Sequence, residues 1–492
     1  MTGDAEGTQA GPDAAAEPAH GGGASGGGAP KAGTSGDGAH GGGASGGGTA
    51  VVPGAGVATR AAAWRALRRV HGDDAWSSLA VDSALRRTTL DARDRAFAAN
   101  LAYSTLRWEG TLDWALGQVL TRPLDEVQPD LVDVLRLGAW QLLFGGTPDR
   151  AAVGTAVDLA RAEIGPQATG FTNGVLRGLA RARDRLPWPS TDDDAGLGLA
   201  LGYPAWIVAE ARTRFGDRAA AVLDAGNAAP GLTLRAIGDP DALHAELRAA
   251  GLDPVPGRFA PEAVRLPGTD PAGLAAVVEG RAVPQDEASV LVTRAAAAGT
   301  GPGSGWALDV CAAPGGKSTH LAELGFRVAA AELHPGRTRL VAAAAARTGH
   351  ADRVAVVAAD GRAPPWRPGS FDAVLLDAPC TGLGVVRRRP ELRWRRNPAD
   401  AARLAALQLD LLERAAPLVR PGGLLTYSVC TWTRAETAGV AAAFLAAHGD
   451  RFDAEPPDLA GAGVRMDGEP GVQLAPDLDG TDGMYVAAFR AG

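Results

Sequence analysis

From residue 301 onward the chain alternates between strand-like and helical segments. Apolar, strand-like runs occur at 306–310, 327–333, 354–360, 371–377 and 424–429, and amphipathic stretches separate them at 317–325, 336–348, 400–416 and 434–447. Strands that alternate with helices in this way form a mainly parallel sheet with helices on both faces. We therefore predict an α/β, doubly wound domain over residues 301–492.

The remainder of the chain divides into three regions. Residues 1–56 are rich in Gly, Ala and Ser and contain the same ten-residue segment at 19–28 and 39–48, so we expect a disordered tail. Residues 57–187 place apolar side chains at helical spacing, which predicts an all-α domain. Residues 190–300 mix short helical and strand-like stretches, for example at 232–237, and predict a connecting α+β subdomain.

Composition restricts the functional classes. Three widely spaced cysteines in 492 residues do not form a disulfide framework, which indicates a reducing compartment. The sequence lacks a run of about 18 apolar residues, as a membrane helix would need, and it lacks the layout of a secretory signal. We therefore expect a cytoplasmic monomer with no membrane association, no protein partner and no metal site.

A local cluster of positive charge stands out against the net charge of −8. Segment 387–396 contains six arginines and Trp394. Arginine forks suit phosphates and tryptophan suits base stacking, so the segment is either a nucleic-acid contact or an ordinary solvated loop. The acidic balance of the whole chain lowers the expectation of nucleic-acid binding without removing it.

A glycine-containing loop, Asp309-Val-Cys-Ala-Ala-Pro-Gly-Gly-Lys317, leaves a predicted strand and opens a helix. Glycines at such a turn let a ligand approach the backbone beside the helix N-terminus. A P-loop needs glycine where Cys311 stands, and a dinucleotide fingerprint is absent, so both of these nucleotide sites are disfavoured.

Acidic residues end the next three predicted strands, at Glu332, Asp360 and Asp377. Each alone could be a turn or cap residue. An acid at the end of the second strand suits the hydroxyls of a ribose. Together with the loop, these acids resemble the S-adenosyl-L-methionine pocket of Rossmann-like methyltransferases. The residues that this resemblance assigns to the cofactor are Cys311, Ala312, Ala313, Pro314, Gly315, Gly316, Lys317, Glu332, Asp360 and Asp377.

Two further cysteines end strand-like segments, Cys380 after Asp377-Ala-Pro and Cys430 after Tyr427-Ser-Val. A lone cysteine is usually a small buried hydrophobe, but two of them beside a cofactor loop can carry covalent catalysis. A thiolate that adds to C6 of cytosine makes C5 reactive toward a methyl group, and a strand-end carboxyl could assist by protonation near N3. Cys311 lies within the loop itself, so we interpret it as structural or cofactor-lining. A cysteine hydrolase is an alternative, although no histidine lies near either thiol in the sequence.

These segments, together with 384–391, resemble the motifs of the Sun/Fmu family of RNA cytosine-5 methyltransferases over roughly residues 280–492. The resemblance implies that Cys430 is the nucleophile, that Cys380 helps to release the product, and that Asp377 contacts cofactor and cytosine. The sequence departs from the family pattern at the second-strand acid, usually aspartate, and at the threonine expected before the nucleophile. An acidic segment after the nucleophile is reduced to Glu436.

The helical region adds a second resemblance. Segments 93–107, 135–143 and 171–177 resemble the RNA-binding fold of the antitermination factor NusB. A NusB-like domain ahead of this catalytic domain resembles the bacterial ribosomal small-subunit RNA methyltransferases, which implies a cytosine of 16S rRNA as the substrate. Two alternatives stay open, namely the same chemistry on another RNA such as tRNA, and an RNA-binding protein with a vestigial methyltransferase fold.

Overall fold

The computed structural model describes residues 55–267, 273–299 and 305–492. The tail expected at 1–56 lies outside the described residues except for its last two positions, which begin the first helix. None of the helices in these ranges has the length and apolar character that a membrane crossing requires.

Between residues 55 and 182, all of which are described, the chain forms seven α-helices. They are α1 (Ala55–Gly72), α2 (Ser77–Arg86), α3 (Ala92–Arg107), α4 (Glu109–Gly117), α5 (Pro129–Leu143), α6 (Asp149–Glu163) and α7 (Thr169–Ala182). Their apolar faces enclose one core, in which Leu67, Leu101 and Leu135 are fully buried. Gly138 lets α5 approach α7, because a Cβ at this position would lie 2.5 Å from Leu176 Cδ1.

The connecting region contains helices and a small antiparallel sheet. Its elements are α8 (Asp194–Leu201), α9 (Ala205–Phe215), α10 (Ala219–Ala225), β1 (Leu232–Ala236), α11 (Pro240–Ala249), β2 (Val255–Pro256), β3 (Ala263–Leu266), α12 (Ala275–Val278), β4 (Ala282–Pro284) and α13 (Glu287–Ala297). The sheet order is β2-β3-β1-β4. β1 coincides with the strand-like stretch at 232–237.

The C-terminal region, described from residue 305 to residue 492, contains one nine-stranded sheet. Its elements are β5 (Trp306–Asp309), α14 (Gly316–Glu323), β6 (Arg327–Glu332), α15 (Pro335–Arg347), β7 (Val354–Ala358), β8 (Phe371–Asp377), α16 (Leu392–Arg395), α17 (Pro398–Ala415), β9 (Val419–Val429), α18 (Val440–His448), β10 (Phe452–Glu455), β11 (Val464–Arg465), β12 (Val472–Gln473), α19 (Pro476–Asp479) and β13 (Tyr485–Ala491). The order is β11-β12-β13-β9-β8-β5-β6-β7, with β10 paired to β13.

The centre of this sheet is parallel, as predicted. β7, β6, β5, β8 and β9 pair in parallel, whereas β13 runs antiparallel to β9. The predicted fold class, an all-α domain followed by an α/β domain, is confirmed. The chain passes from β5 outward to β7 and then returns to β8, so the direction of winding changes between β5 and β8. Ligands bind outside the carboxyl ends of the strands at such a point.

The arginine-rich segment 387–396, here called the interdomain segment, lies between the three regions. Arg393 is fully buried, and its Nη1 donates to Arg107 O at 2.9 Å and to Asn227 Oδ1 at 2.8 Å. Its guanidinium carbon lies 3.7 Å from the centre of the Tyr203 ring. Arg393 thereby joins the helical and connecting regions to the α/β domain.

The other arginines of the interdomain segment are also engaged. Arg387 and Arg388 both form ion pairs with Asp286 and Asp482. None of the six arginines is fully exposed. Both interpretations offered for this segment, a solvated loop and a nucleic-acid contact, require exposed guanidinium groups. The solvated-loop interpretation is therefore wrong for the buried Arg387 and Arg393, whose guanidinium groups bind carbonyls and carboxylates. The other four arginines are partly exposed, and a nucleic-acid contact through them stays a prediction.

Candidate active site

The two cysteines meet where β8 and β9 end. Their Sγ atoms are 3.3 Å apart. The parallel register places Asp377 opposite Ser428, and each cysteine follows within a few residues, which brings the two sulfur atoms to the same edge of the sheet. The hydrogen bond to Cys430, together with burial, raises the pKa of the Cys380 thiol well above its usual value. Cys380 therefore keeps its proton at neutral pH.

Lys317 connects the loop after β5 to this pair. Its Nζ donates to Asp377 Oδ2 at 2.6 Å, while Ser428 Oγ donates to Asp377 Oδ1 at 3.0 Å. Burial alone would lower the pKa of the Lys317 ammonium, but the contact with Asp377 outweighs it and raises the pKa. The ammonium also interacts electrostatically with Cys430. Lys317 is thus a permanent cation shared by a carboxylate and a thiol.

The backbone of the loop is held between β6 and α15. Ala312 N donates to Ala331 O of β6 at 2.9 Å. Gly315 has a φ of +107°, and a Cβ there would lie 3.1 Å from Val341 Cα of α15. Glycine is therefore required at this position, and the first turn of α14 opens directly after it at Gly316.

Other residues of the loop shape its backbone or line the site. The peptide between Ala313 and Pro314 is cis. Burial, reinforced by the nearby carboxylates of Asp309 and Asp377, raises the pKa of the Cys311 thiol. Cys311 therefore stays protonated, as expected of a lining residue rather than a reacting thiol.

The acids at the strand ends lie along the same edge. Glu332 is buried, and its carboxylate accepts hydrogen bonds from Ala313 N at 3.4 Å and His334 N at 3.1 Å. Ala359 N donates to Glu332 O, which places Asp360 beside the end of β6. Hydrogen bonds from Arg362 lower the pKa of the Asp360 carboxyl. The structure therefore brings all the residues that the sequence singled out to one edge of the sheet.

One buried carboxyl lies directly behind the loop. Ser318 Oγ donates to Asp309 Oδ2 at 2.6 Å, while Asp309 Oδ1 is buried without a hydrogen-bond partner among the described residues. Burial raises the pKa of Asp309 to about 6. Arg337 Nε, near Ala313 and Glu332, is likewise buried and unpartnered within the described chain.

Sequence reasoning found no role for Glu436, which the structure places at the centre of the site. It is fully buried and accepts hydrogen bonds from Thr381 N and from Thr433 Oγ1, both at 2.8 Å. The available signal was a single acidic residue six positions after Cys430. Its partners could not be identified, because they come from other segments of the chain.

An open sheet with a parallel centre, a glycine loop after its first strand and acids at the following strand ends define a Rossmann-like methyltransferase. A family model described as "16S rRNA methyltransferase RsmB/F" matches residues 302–490. A NusB family model matches residues 57–181, and the model of an RsmF/B-like ferredoxin-like domain matches residues 203–271.

Whole-chain relatives agree with these matches. A putative methyltransferase of Mycobacterium tuberculosis is 42% identical over 451 residues, which cover 88% of this chain and 96% of that protein. The probable ribosomal RNA small subunit methyltransferase B of Bacillus subtilis is 34% identical over 450 residues, which cover 87% of this chain and 97% of that protein. The chain therefore belongs to the RsmB/F family of 16S rRNA methyltransferases, and it is an RNA methyltransferase of that family.

A solved structure shares the fold over nearly the whole chain. The crystal structure of PH0851 superposes with a TM-score of 0.76 at 23% sequence identity, covering 89% of this chain and 99% of that one. The order of the helical, connecting and α/β regions is therefore not specific to this sequence.

Proposed function

We propose that this protein methylates C5 of a cytosine in 16S ribosomal RNA, with S-adenosyl-L-methionine as the methyl donor and a covalent bond from Cys430 to C6 of the base. The observation that carries the proposal is the pair of sulfur atoms 3.3 Å apart beside the Lys317–Asp377 ion pair. Relatives named ribosomal RNA small subunit methyltransferase B and the match of the helical region to the NusB family support RNA as the partner.

The residues at the sheet edge fit S-adenosyl-L-methionine. The donor set is a glycine turn at a helix N-terminus followed by carboxylates, which suits a ligand with ribose hydroxyls and no phosphate. When bound, this cofactor supplies an electrophilic methyl group. Residues Cys311 to Lys317, Glu332, Asp360 and Asp377 would hold it.

Cys430 would act first, as the nucleophile. A bond from its sulfur to C6 breaks the aromaticity of the ring and leaves C5 as an enamine carbon, which can accept a methyl group. A thiol needs a nearby cation to be substantially ionised at neutral pH. The Lys317 ammonium is the cation that interacts with Cys430, whereas the arginines of the interdomain segment are engaged elsewhere.

Cys380 would act second, in product release. Its thiol proton is held by the hydrogen bond to Cys430. Once the Cys430 sulfur is bonded to carbon it carries no charge, so this hydrogen bond weakens and Cys380 ionises more easily. The Cys380 thiolate can then remove the proton from C5, the C5–C6 double bond re-forms, and the C6–S bond breaks to return the Cys430 thiolate.

The test combines purified protein, bacterial 16S RNA and radiolabelled S-adenosyl-L-methionine. We expect label at cytosine C5 with the wild type, no label with Cys430→Ala, and an RNA adduct that survives denaturation with Cys380→Ala. Label that appears only on tRNA would contradict 16S RNA as the substrate and would support the proposed methylation of cytosine C5. Cofactor binding without methyl transfer to either RNA would overturn the proposal in favour of a vestigial site.

A further inference from the structure

Glu436 lies in the short π-helix Ala435–Gly439 that precedes α18. Its carboxylate accepts hydrogen bonds from Thr381 N at 2.8 Å, Thr381 Oγ1 at 2.5 Å, Thr433 Oγ1 at 2.8 Å and Gln408 Nε2 at 3.1 Å. A carboxylate that is fully buried, as this one is, persists only when donors satisfy its oxygens. Here donors approach both carboxylate oxygens, so the surrounding loops are hydrogen-bonded to one side chain.

Three of these four donor groups belong to the two loops that carry the cysteines. Thr381 directly follows Cys380, and Thr433 lies three residues after Cys430. Thr381 Oγ1 and Thr431 Oγ1 are 2.8 Å apart, which links the loops a second time. The distance between the two sulfur atoms therefore depends on a network whose centre is a carboxylate.

Helix α17 and strand β9 complete the network. Gln408 Nε2 donates to Pro379 O at 2.9 Å in addition to the carboxylate, so both neighbours of Cys380 are held. Tyr427 OH donates to Gln408 Oε1 at 3.0 Å and to the backbone oxygen of Glu436 at 2.5 Å. All of these side chains are buried.

We propose that Glu436 is a positioning residue that holds Cys380 and Cys430 at the separation needed for addition and release. It acts on the sulfur atoms through Thr381 and Thr433. This inference rests on the proposed function in one respect, namely that the separation of the two sulfur atoms serves catalysis. The positioning itself is a property of the protein without RNA.

Replacement by glutamine isolates the role of the carboxylate. Glu436→Gln keeps the shape but turns one acceptor oxygen into a donor amide, which then faces donors from Thr381, Thr433 or Gln408. At least one buried donor loses its acceptor, and the loops move to relieve the conflict. Glu436→Asp keeps both acceptors with a shorter reach, so it should restore part of the effect.

The experiment measures how strongly the fold favours a Cys380–Cys430 disulfide in full-length protein, without RNA or cofactor. In a buffer of reduced and oxidised glutathione, the two thiols and one oxidised glutathione give one protein disulfide and two reduced glutathione molecules. The disulfide-linked peptide is quantified by mass spectrometry after acid quenching. The equilibrium constant is the effective concentration of one thiol at the other.

We expect this effective concentration to fall about tenfold or more in Glu436→Gln, with partial recovery in Glu436→Asp, because a loosened loop samples many sulfur positions. Glu287→Gln is the matched control. Glu287 is also buried and accepts backbone hydrogen bonds from Phe259 and Ala260 in the connecting region. The Glu287→Gln substitution should lower the melting temperature and leave the Cys380–Cys430 disulfide equilibrium unchanged.

If Glu436→Gln does not fold, Thr433→Val removes one donor from the network with little change in shape, and the same fall in effective concentration is expected on a smaller scale. A folded Glu436→Gln or Thr433→Val protein with the wild-type equilibrium would overturn the inference. Failure of the proposed function can be distinguished from failure of this inference. If the wild type methylates no RNA, the Cys380–Cys430 disulfide equilibrium and its change in the variants can still be measured.

Discussion

Lys317 is the side chain through which the glycine loop reaches the cysteines. Lysine occurs at only two positions in the chain, Lys31 and Lys317, and the remaining basic side chains other than histidine are arginines. A compact ammonium can contact Asp377 and face a sulfur atom in a confined space, whereas a planar guanidinium needs room for its fork. The retention of lysine here is explained by this geometry.

Replacement of Lys317 should therefore slow the reactions of Cys430. With Lys317→Met we expect alkylation of Cys430 by iodoacetamide at neutral pH to slow about tenfold, because the ammonium that interacts with this sulfur is removed. Mass spectrometry of the Cys430 peptide over time gives the rate. Lys31→Met, in the N-terminal tail, is the control and should match the wild type. Equal rates for Lys317→Met and wild type would contradict the role of this cation.

Elements with strong periodicity could be predicted from the sequence, and elements defined by their neighbours could not. The strands β5 to β9 and the helices α14, α15 and α17 between them could be predicted, because apolar runs and amphipathic stretches alternate clearly. The short helix α16 was not predicted. Strands β11 and β12 have two residues each, which is too short for any pattern. The apolar run of β13 fits a buried helix as well as a strand, and its antiparallel place beside β9 depends on the rest of the sheet.

In the site, too, residues marked by a local pattern could be predicted from the sequence, and residues defined by distant partners could not. Cys380, Cys430 and the glycine loop were identified together, since each occupies the carboxyl end of a strand, where parallel strands place ligand-binding residues. The role of Glu436 could not be predicted, because its carboxylate accepts hydrogen bonds from Thr381 and Gln408, which are distant in the sequence. The burial of Arg387 and Arg393 in the interdomain segment could not be predicted, because six arginines among ten residues suggest contact with solvent or phosphate.

A partly buried histidine connects three helices of the helical domain. His71 of α1 lies 2.8 Å from Asp133 Oδ1 of α5 through Nδ1, and 3.2 Å from Glu109 Oε2 of α4 through Nε2. Burial alone would lower the pKa of His71, but hydrogen bonds to Asp133 and Glu109 outweigh it and raise the pKa to about 9. The imidazole is therefore charged in the folded state at neutral pH and links the helices as an ion pair.

The stability of this domain should depend on pH accordingly. The pKa of His71 is higher in the folded than in the unfolded chain, so its contribution is complete below about pH 6.5 and is lost as the pH rises through about 9. We expect His71→Gln to lower the free energy of unfolding by about 1–3 kcal/mol at pH 6.5 and by much less at about pH 10. Thermal unfolding of both proteins at the two pH values measures the difference.

The control for this prediction is His448→Gln. His448 packs against Phe444 and has no carboxylate partner in the described part of the chain. Its substitution should change the melting temperature by a similar amount at both pH values. A His71→Gln effect that is equally large at high pH would mean that packing, not charge, holds α1 to α4 and α5.

The interdomain segment sets the relation between the helical domain and the active site. Arg395 Nη2 donates to Val70 O of α1 at 2.7 Å, and Glu391 Oε1 accepts from Ser77 N of α2 at 3.0 Å. The same segment begins seven residues after Cys380 and returns to its loop, where Arg396 Nε donates to Thr381 O at 3.2 Å. The helical domain is thus fixed relative to the cysteine loops.

Arg393 is the residue on which this arrangement depends most directly. It is fully buried, and it donates to four acceptors, namely Arg107 O, Gly202 O, Gly226 O and Asn227 Oδ1. Arg393→Met keeps much of the side-chain volume but leaves these acceptors unsatisfied, which should cost about 2–5 kcal/mol of domain docking. We expect one cooperative calorimetric transition in the wild type to separate into two in the variant, because the helical domain then unfolds independently.

Arg403→Met provides the matched control. The Arg403 side chain is 65% exposed and pairs with Asp400 within α17, so its loss should leave a single transition at nearly the wild-type temperature. Small-angle scattering supplies a second readout, since undocked domains increase the radius of gyration of Arg393→Met and not of Arg403→Met. An Arg393→Met protein with one transition and an unchanged radius would show that the remaining contacts hold the three regions together without Arg393.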